Sequence, residues 1–308
     1  LKKKAKKMNV LITGATGLVG QALVAILLKE GYTVNYLSTS RTKLSNRLNY
    51  KGFYWNPEKL EIDEAAFKDV SVIVHLAGAS VSKKWTPAYK TEILQSRIQT
   101  TRLLFDTLSR IPNQVQHIVS ASAIGGYKSS FDRIYHEEDA IEEPSFLGDV
   151  VRAWEHEVDT FEKLQISVAK IRIGLVLSAH GGALVELIKP IKLGVGSPLG
   201  SGKQYQSWIH IEDLASIFLF IIQNQEKGIY NGVSPHPVTN SELTKAIAKV
   251  LKKPFFFPRV PVFVLKTLLG EMHELLISSQ HVSCLKLLNK GFQFKYASLE
   301  KALQSLVK

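Results

Sequence analysis

Three glycines, Gly14, Gly17 and Gly20, stand at the spacing G-x-x-G-x-x-G within the run TGATGLVG. Before them lies a short apolar run, Met8 to Thr13 (MNVLIT). Behind them, from Leu18 to Glu30, apolar residues recur at Leu18, Val19, Leu23, Ile26 and Leu27, a helical stripe closed by Gly31. A strand, a glycine turn and a helix in that order form an anion cradle. Gly14 permits the tight turn, Gly17 lets the backbone approach a pyrophosphate, and Gly20 lets the helix pack closely on the sheet. Free N–H groups at the helix start, around Thr16, Leu18 and Val19, then face the phosphates. Glycine spacing is weak by itself and strong in this setting, and the chemistry it points to is dinucleotide binding. The end of the second strand, Thr33 to Leu37, selects the dinucleotide. NAD sites place a carboxylate there, about 20 residues past the glycines. Here Ser38, Thr39, Ser40, Arg41 and Lys43 offer hydroxyls and cations instead. Thr39 and Arg41 suit a 2′-phosphate, so NADP is expected over NAD.

The elements that must hold this cradle alternate along the chain. Ser71 to Leu76 (SVIVHL) reads as a buried strand running towards Gly78, Ala88 to Ile111 as a long amphipathic helix stopped at Pro112, and His117 to Ser120 as a strand. Phe146 to Leu164 reads as helix and Ser167 to Ile173 as strand. Such βαβ repetition requires parallel pairing with helices on both faces. The expected fold is therefore α/β: a Rossmann-type parallel sheet with a smaller, mainly helical C-terminal substrate lobe. The boundaries read as a basic tail over 1–7 and an NADP-binding domain over 8–180, with a returning segment near 207–233. The substrate lobe then covers 181–308, joined to its last part by the Pro-rich run Pro254 to Pro261. Trp85, preceded by Lys83 and Lys84, follows HLAGAS on the loop expected to overhang the substrate cleft, and suits a planar or anionic ligand.

Composition narrows the alternatives. With 45% hydrophobic and 21% charged residues, the 308-residue chain has the balance of a globular protein. Its net charge of +12 falls to +7 without Lys2, Lys3, Lys4, Lys6 and Lys7, and no dense basic stripe remains, which disfavours nucleic acid as a partner. The single cysteine, Cys284, is expected to pack rather than react. The nine histidines show no metal-ligand spacing, so no metal is expected. Gly202-Lys203 is followed by Gln204, which breaks the P-loop pattern. No apolar run nears the ~20 residues of a membrane span, and the expected compartment is the cytoplasm.

TGATGLVG followed by HLAGA (His75 to Ala79) resembles the extended short-chain dehydrogenase/reductase superfamily. Further motifs narrow the likeness: WNPEKLEID, KKWTPAYKTEILQSRIQTTRLL, RAWEHE, IRIGLVLSAHGGAL, SPLGSGKQYQSWIHIEDL and FQFKYASLEKAL. Together they resemble the atypical epimerase-like family with a C-terminal extension, here about Lys253 to Leu303. The resemblance implies that Leu76, Ala77 and Gly78 line the adenine and ribose side of the cofactor, and that Arg172 and Gly174 end the strand beside the nicotinamide. It puts Ser122 in the active site as the group that holds a substrate oxygen. It puts Trp208, Ile209, His210 and Asp213 at the floor of the site, with Trp208 and His210 as substrate residues.

One departure stands out. The superfamily's Tyr-x-x-x-Lys couple moves the substrate proton, but the resemblance aligns Leu147 and Val151 with those two positions. Tyr127, Tyr135, His136 and Asp149 lie nearby as substitute acids, none with a lysine four residues on. Two readings follow: an NADP-dependent oxidoreductase or epimerase acting on a small, sugar-like or anionic molecule, or an NADP-binding sensor whose chemistry is lost. A small-molecule partner is expected, and a homodimer is compatible with either reading.

Overall fold

The computed structural model describes residues 8–307; the basic tail, residues 1–7, lies outside the described residues. Seven strands form the centre: β1 Asn9–Thr13, β2 Thr33–Ser38, β3 Tyr50–Asn56, β4 Val70–His75, β5 His117–Ala123, β6 Ser167–Ile173 and β7 Gly228–Gly232. They lie in the order β7-β6-β5-β4-β1-β2-β3, and each neighbouring pair is parallel. Two short pieces, Asn46–Arg47 and Glu61–Ile62, pair antiparallel with β3. Val10, Leu11, Ile12, Ile73 and Val74 are all fully buried, because a parallel sheet covered on both faces tolerates near-continuous apolar strands. The strand order reverses between β1 and β4. In an open parallel sheet, the crevice outside the strand ends at that switch point is where ligands bind.

Helices α1 (Leu18–Lys29), α2 (Pro87–Arg110) and α3 (Phe146–Asp159) connect the strands. α2 starts on Pro87, with Thr86 accepting the Tyr89 amide as its cap, and stops before Pro112. α3 starts on Ser145, whose hydroxyl accepts the Gly148 amide. It ends at Asp159, and the rest of the expected helix is a tight turn, Thr160–Leu164, closed by Gln165 in the left-handed region at φ 59°. α2 packs on α3. After α4 (Ala183–Lys192), the chain returns through Trp208–His210 and α5 (Ile211–Asn224) to β7 at the sheet edge. α5 packs against α1.

A second core joins α4, α6 (Asn240–Val250) and the helix Leu299–Leu306 through Leu184, Ile191, Leu243, Ile247, Ala302 and Leu303. α6 opens with a reciprocal cap in which Thr239 and Glu242 satisfy each other's backbone amides. No described helix is long and apolar enough to cross a membrane.

Candidate dinucleotide and substrate site

The glycine turn leaves no space for side chains. Gly14 sits at φ +73°, and a Cβ there would lie 2.9 Å from the Leu76 carbonyl. A Cβ on Gly20 would lie 2.2 Å from the Gly14 oxygen, so α1 reaches the sheet only because that position is glycine. Gly17 precedes α1 and no side chain caps the helix. The first-turn amides of Leu18 and Val19 therefore keep their donors for an anion. Together, a backbone cradle without Cβ atoms and an uncapped helix start fit a dinucleotide diphosphate.

The switch point is stitched by Thr13. Its Oγ1 accepts the Leu76 and Ala77 amides at 3.1 Å each and meets His75 Nδ1 at 2.8 Å. With two donors already arriving, Thr13 gives its own proton to Nδ1. The ring is then protonated on Nε2, which donates to Thr101 Oγ1 at 3.1 Å. Burial, with Arg97 nearby, lowers the His75 pKa to about 3, so this ring is neutral. Leu76, Ala77 and Gly78 thus form the wall of the crevice opposite Gly14.

At the end of β2, Thr39 is exposed and Arg41 lies 3.8 Å above the Tyr54 ring. Arg41 has no carboxylate within salt-bridge distance among the described residues. Arg97 is a second cation at the crevice, one that the sequence does not single out. It packs against Gly78 and over the Trp154 ring, and its Nη1 donates to the carbonyls of Ala79 and Ile93. No described carboxylate pairs with it, and burial lowers its pKa to about 10. In sequence, QSRIQTTR reads as a polar helix face, and nothing local marks Arg97 as enclosed.

Beyond the ends of β5 and β6 lies a cavity of about 550 Å³. Ala123, Ile124, Gly125, Ile173 and Gly174 form its floor, and Leu147 and Val151 stand on its wall. The two positions aligned with the superfamily's tyrosine and lysine therefore face this cavity with apolar side chains.

Several expected site residues point elsewhere. Ser122 does not line the cavity; its hydroxyl donates to Glu155 Oε1 at 2.6 Å. Arg172, expected beside the cofactor, is withdrawn into the interior. Its Nε and Nη2 donate to Glu155 at 2.9 and 3.0 Å, and its Nη1 donates to the Tyr127 hydroxyl at 2.8 Å. Burial lowers the Arg172 pKa, but the paired carboxylate outweighs it and holds the value above the ordinary one. Tyr127 is fully buried and donates to Asn231 Oδ1, and burial pushes its phenol up to about 12, so it is not placed as a general acid.

The expected substrate residues are likewise packed. Trp208 is fully buried in the second core, its Nε1 donating to the His236 carbonyl. His210 accepts the Glu212 amide as the cap of α5, stacks 3.8 Å from the Tyr296 ring, and has its pKa lowered by burial to about 4. Trp85 is buried against Phe146, with Nε1 donating to Val81, so it props the cavity-lining loop from behind. Cys284 packs beside Tyr127, Tyr135 and Val282, and burial pushes its thiol up to about 11. No metal-holding group of three or more His, Cys, Asp or Glu occurs among the described residues.

The NAD dependent epimerase/dehydratase family matches residues 10–232. The chain belongs to this family. A domain of unknown function, DUF1731, matches residues 260–306 of the same epimerase-family chain, where the extension was expected. It is 34% identical over 311 residues to the epimerase family protein SDR39U1 homolog, chloroplastic, of Arabidopsis thaliana, covering 99% of this chain and 88% of that protein. It is 33% identical over 301 residues to the epimerase family protein YfhF of Bacillus subtilis, covering 97% and 98%. Among solved structures, human epimerase family protein SDR39U1 (isoform 2), crystallised with NADPH, aligns with a TM-score of 0.84 at 28% identity, over 97% of this chain and 99% of that one. A nucleoside-diphosphate sugar epimerase from Corynebacterium glutamicum aligns with a TM-score of 0.78 at 30% identity, over 98% of this chain and 58% of that one.

Proposed function

We propose that this epimerase-family protein binds NADP(H) in the crevice from Arg41 through the glycine turn to Gly78, and acts as an oxidoreductase or epimerase on a small molecule in the adjoining cavity. The observation that carries the cofactor reading is Arg41, a cation without a carboxylate partner at the end of β2. An acidic residue would favour the free ribose hydroxyls of NAD there. The NADPH-bound human neighbour supports the same choice, and Arg97 adds a second unpaired cation for the cofactor's anionic groups.

A bound nicotinamide supplies or accepts hydride. The chain's own part is to hold the cofactor, enclose the substrate and move the proton. Ser122 and Tyr127 are engaged in the buried Glu155–Arg172 network, so they do not serve as the proton group. The groups on the cavity wall able to do so are Tyr205, Glu143 and Glu274.

The second reading, an NADP(H) sensor, is favoured by a separate observation: the tyrosine and lysine positions of the superfamily are Leu147 and Val151, both on that wall. Titration with NADPH and NADH, followed by a turnover screen on a carbonyl panel, separates the readings. NADPH-selective binding with turnover is the expected result for an enzyme, and selective binding without turnover on any carbonyl is expected for a sensor. Equal affinity for NADH would sink the Arg41 argument.

A further inference from the structure

The cavity beside the crevice carries charge of one sign. Among the described residues lining it, Glu143 and Glu274 are carboxylates and none is lysine, arginine or histidine. Glu143 is partly engaged, accepting the Ser129 amide at 2.6 Å. Glu274 opens the single turn Glu274–Ile277, and no described side chain pairs with its carboxylate.

The surrounding cations are turned away. Arg172 is held by Glu155, and Arg97 packs against Gly78. The uncapped start of α4 does reach the cavity at Gly182 and Ala183. However, Gly182 lies against Leu18, where a Cβ on Gly182 would sit 3.2 Å from Leu18 Cδ2, so the starts of α1 and α4 converge on the crevice side.

Some of the neutral polar groups are committed, whereas Tyr205, Gln206 and Ser278 make no side-chain hydrogen bond among the described residues. Ser207 donates to the Gln280 carbonyl and accepts the Val282 amide, Gln280 donates to the Tyr127 carbonyl, and the Ser145 hydroxyl caps α3. Val81, Leu147, Val151, Leu175 and Leu275 supply apolar wall.

Taking this cavity as the substrate site of the proposed function, we infer that it accepts a largely apolar substrate, uncharged or bearing an ammonium, with Glu274 as its polar anchor, and that it rejects diphosphate-bearing ligands. A phosphate placed here would meet two carboxylates with no compensating side chain in a partly dehydrated space, where repulsion is poorly screened. This separates the protein from the ligand class for which the Corynebacterium glutamicum neighbour is named.

The test uses the full chain and three probes, n-hexylamine, cyclohexanone and UDP-glucose, titrated by calorimetry. The amine and ketone are measured with and without saturating NADPH, and UDP-glucose with it. Hexylamine and cyclohexanone are expected to bind, and UDP-glucose is expected to give no heat at the same concentrations. Glu274→Gln should weaken hexylamine about tenfold relative to cyclohexanone, the size of one lost charge-assisted contact. Because the readout is a ratio within one variant, a general loss of folded protein does not imitate it.

Binding of UDP-glucose to the NADPH-loaded protein as tight as that of hexylamine would overturn the inference. So would an unchanged ratio in Glu274→Gln, or binding of none of the probes. If NADPH fails to bind while the amine-to-ketone ratio responds to Glu274→Gln, the cofactor reading falls and this one stands. If NADPH binds and the ratio does not respond, the reverse holds.

Discussion

Ser122 and Glu155 share a hydrogen bond of 2.6 Å, and the same carboxylate holds Arg172 in a forked ion pair. The register of the sheet explains the arrangement. Ser122 on β5 is directly opposite Arg172 on β6, so their side chains share a face, and α3 lays Glu155 across both. A hydroxyl that family resemblance sets against the substrate is here the third member of a buried charge network.

Breaking that network from one side should be costly. Arg172→Met removes the forked pair and leaves the buried Glu155 only the Ser122 hydroxyl and the more distant Lys170, at 3.8 Å, so it is expected to lower unfolding free energy by an amount towards the lower end of about 3–5 kcal/mol. Ser122→Ala removes one hydrogen bond to a charge and should cost about 1–3 kcal/mol. Denaturant unfolding at neutral pH checks both, and an Arg172→Met protein as stable as the parent would refute the assignment.

The pH dependence of the pair has a definite sign. Burial alone raises the Glu155 carboxyl, but the Arg172 hydrogen bonds and charge outweigh it and hold the carboxyl below its ordinary value. A lowered folded value means that the stabilisation is present above the unfolded value of about 4.3 and is lost as pH falls through the folded one. Glu155→Gln should therefore flatten the acid limb of stability below about pH 4.3, although it lowers stability at pH 7.

The buried histidines act in a higher window. His75 and His210 have folded values of about 3 and about 4, both lowered by burial. Their contributions are complete above the unfolded value of about 6.5 and fade as pH drops towards the folded values. Between pH 6 and pH 4.5 each should contribute a slope approaching about 1 kcal/mol per pH unit. His210→Asn keeps a side chain able to cap α5 while removing the titration, so its slope in unfolding experiments should be shallower than that of the parent.

Cofactor choice should follow Arg41. Arg41→Ser is expected to weaken NADPH about 10- to 100-fold, the range of a hydrogen bond to a charged group, while leaving NADH affinity nearly unchanged. Fluorescence titration with the two nucleotides measures this. A parallel loss of both would place Arg41 on a part the two cofactors share.

The glycine turn predicts a steric failure. The Cβ of Gly20→Ala would start 2.2 Å from the Gly14 oxygen, so α1 must move off the sheet. The expected cost is about 1–3 kcal/mol or more from overpacking, together with weakened NADPH binding. Unfolding and titration of the same variant test both, and a neutral Gly20→Ala would show that α1 does not depend on that contact.

Legibility followed the range of the interaction concerned. The glycine turn, β1, β2, β4 and α1 are local patterns, and their spacing is visible without a partner. β3 is not legible in the sequence because Lys51 and Gly52 interrupt its apolar alternation. Its Gly52 is needed only where the Tyr36 ring covers it, with a Cβ there 2.5 Å from Cζ. Arg97 is hidden for a related reason: its helix face becomes interior only where Gly78 and Trp154 close over it.

By itself, then, the sequence determined the dinucleotide cradle, the α/β class and the absence of the tyrosine–lysine couple, because each is set by residue identity and short-range spacing. Where a strand or loop side chain points was decided only by tertiary structure. Trp208, His210 and Arg172 could each have faced the crevice or the interior. Strand register and the covering helices turned them inward, since a buried indole, a capping imidazole and a paired guanidinium find their partners there.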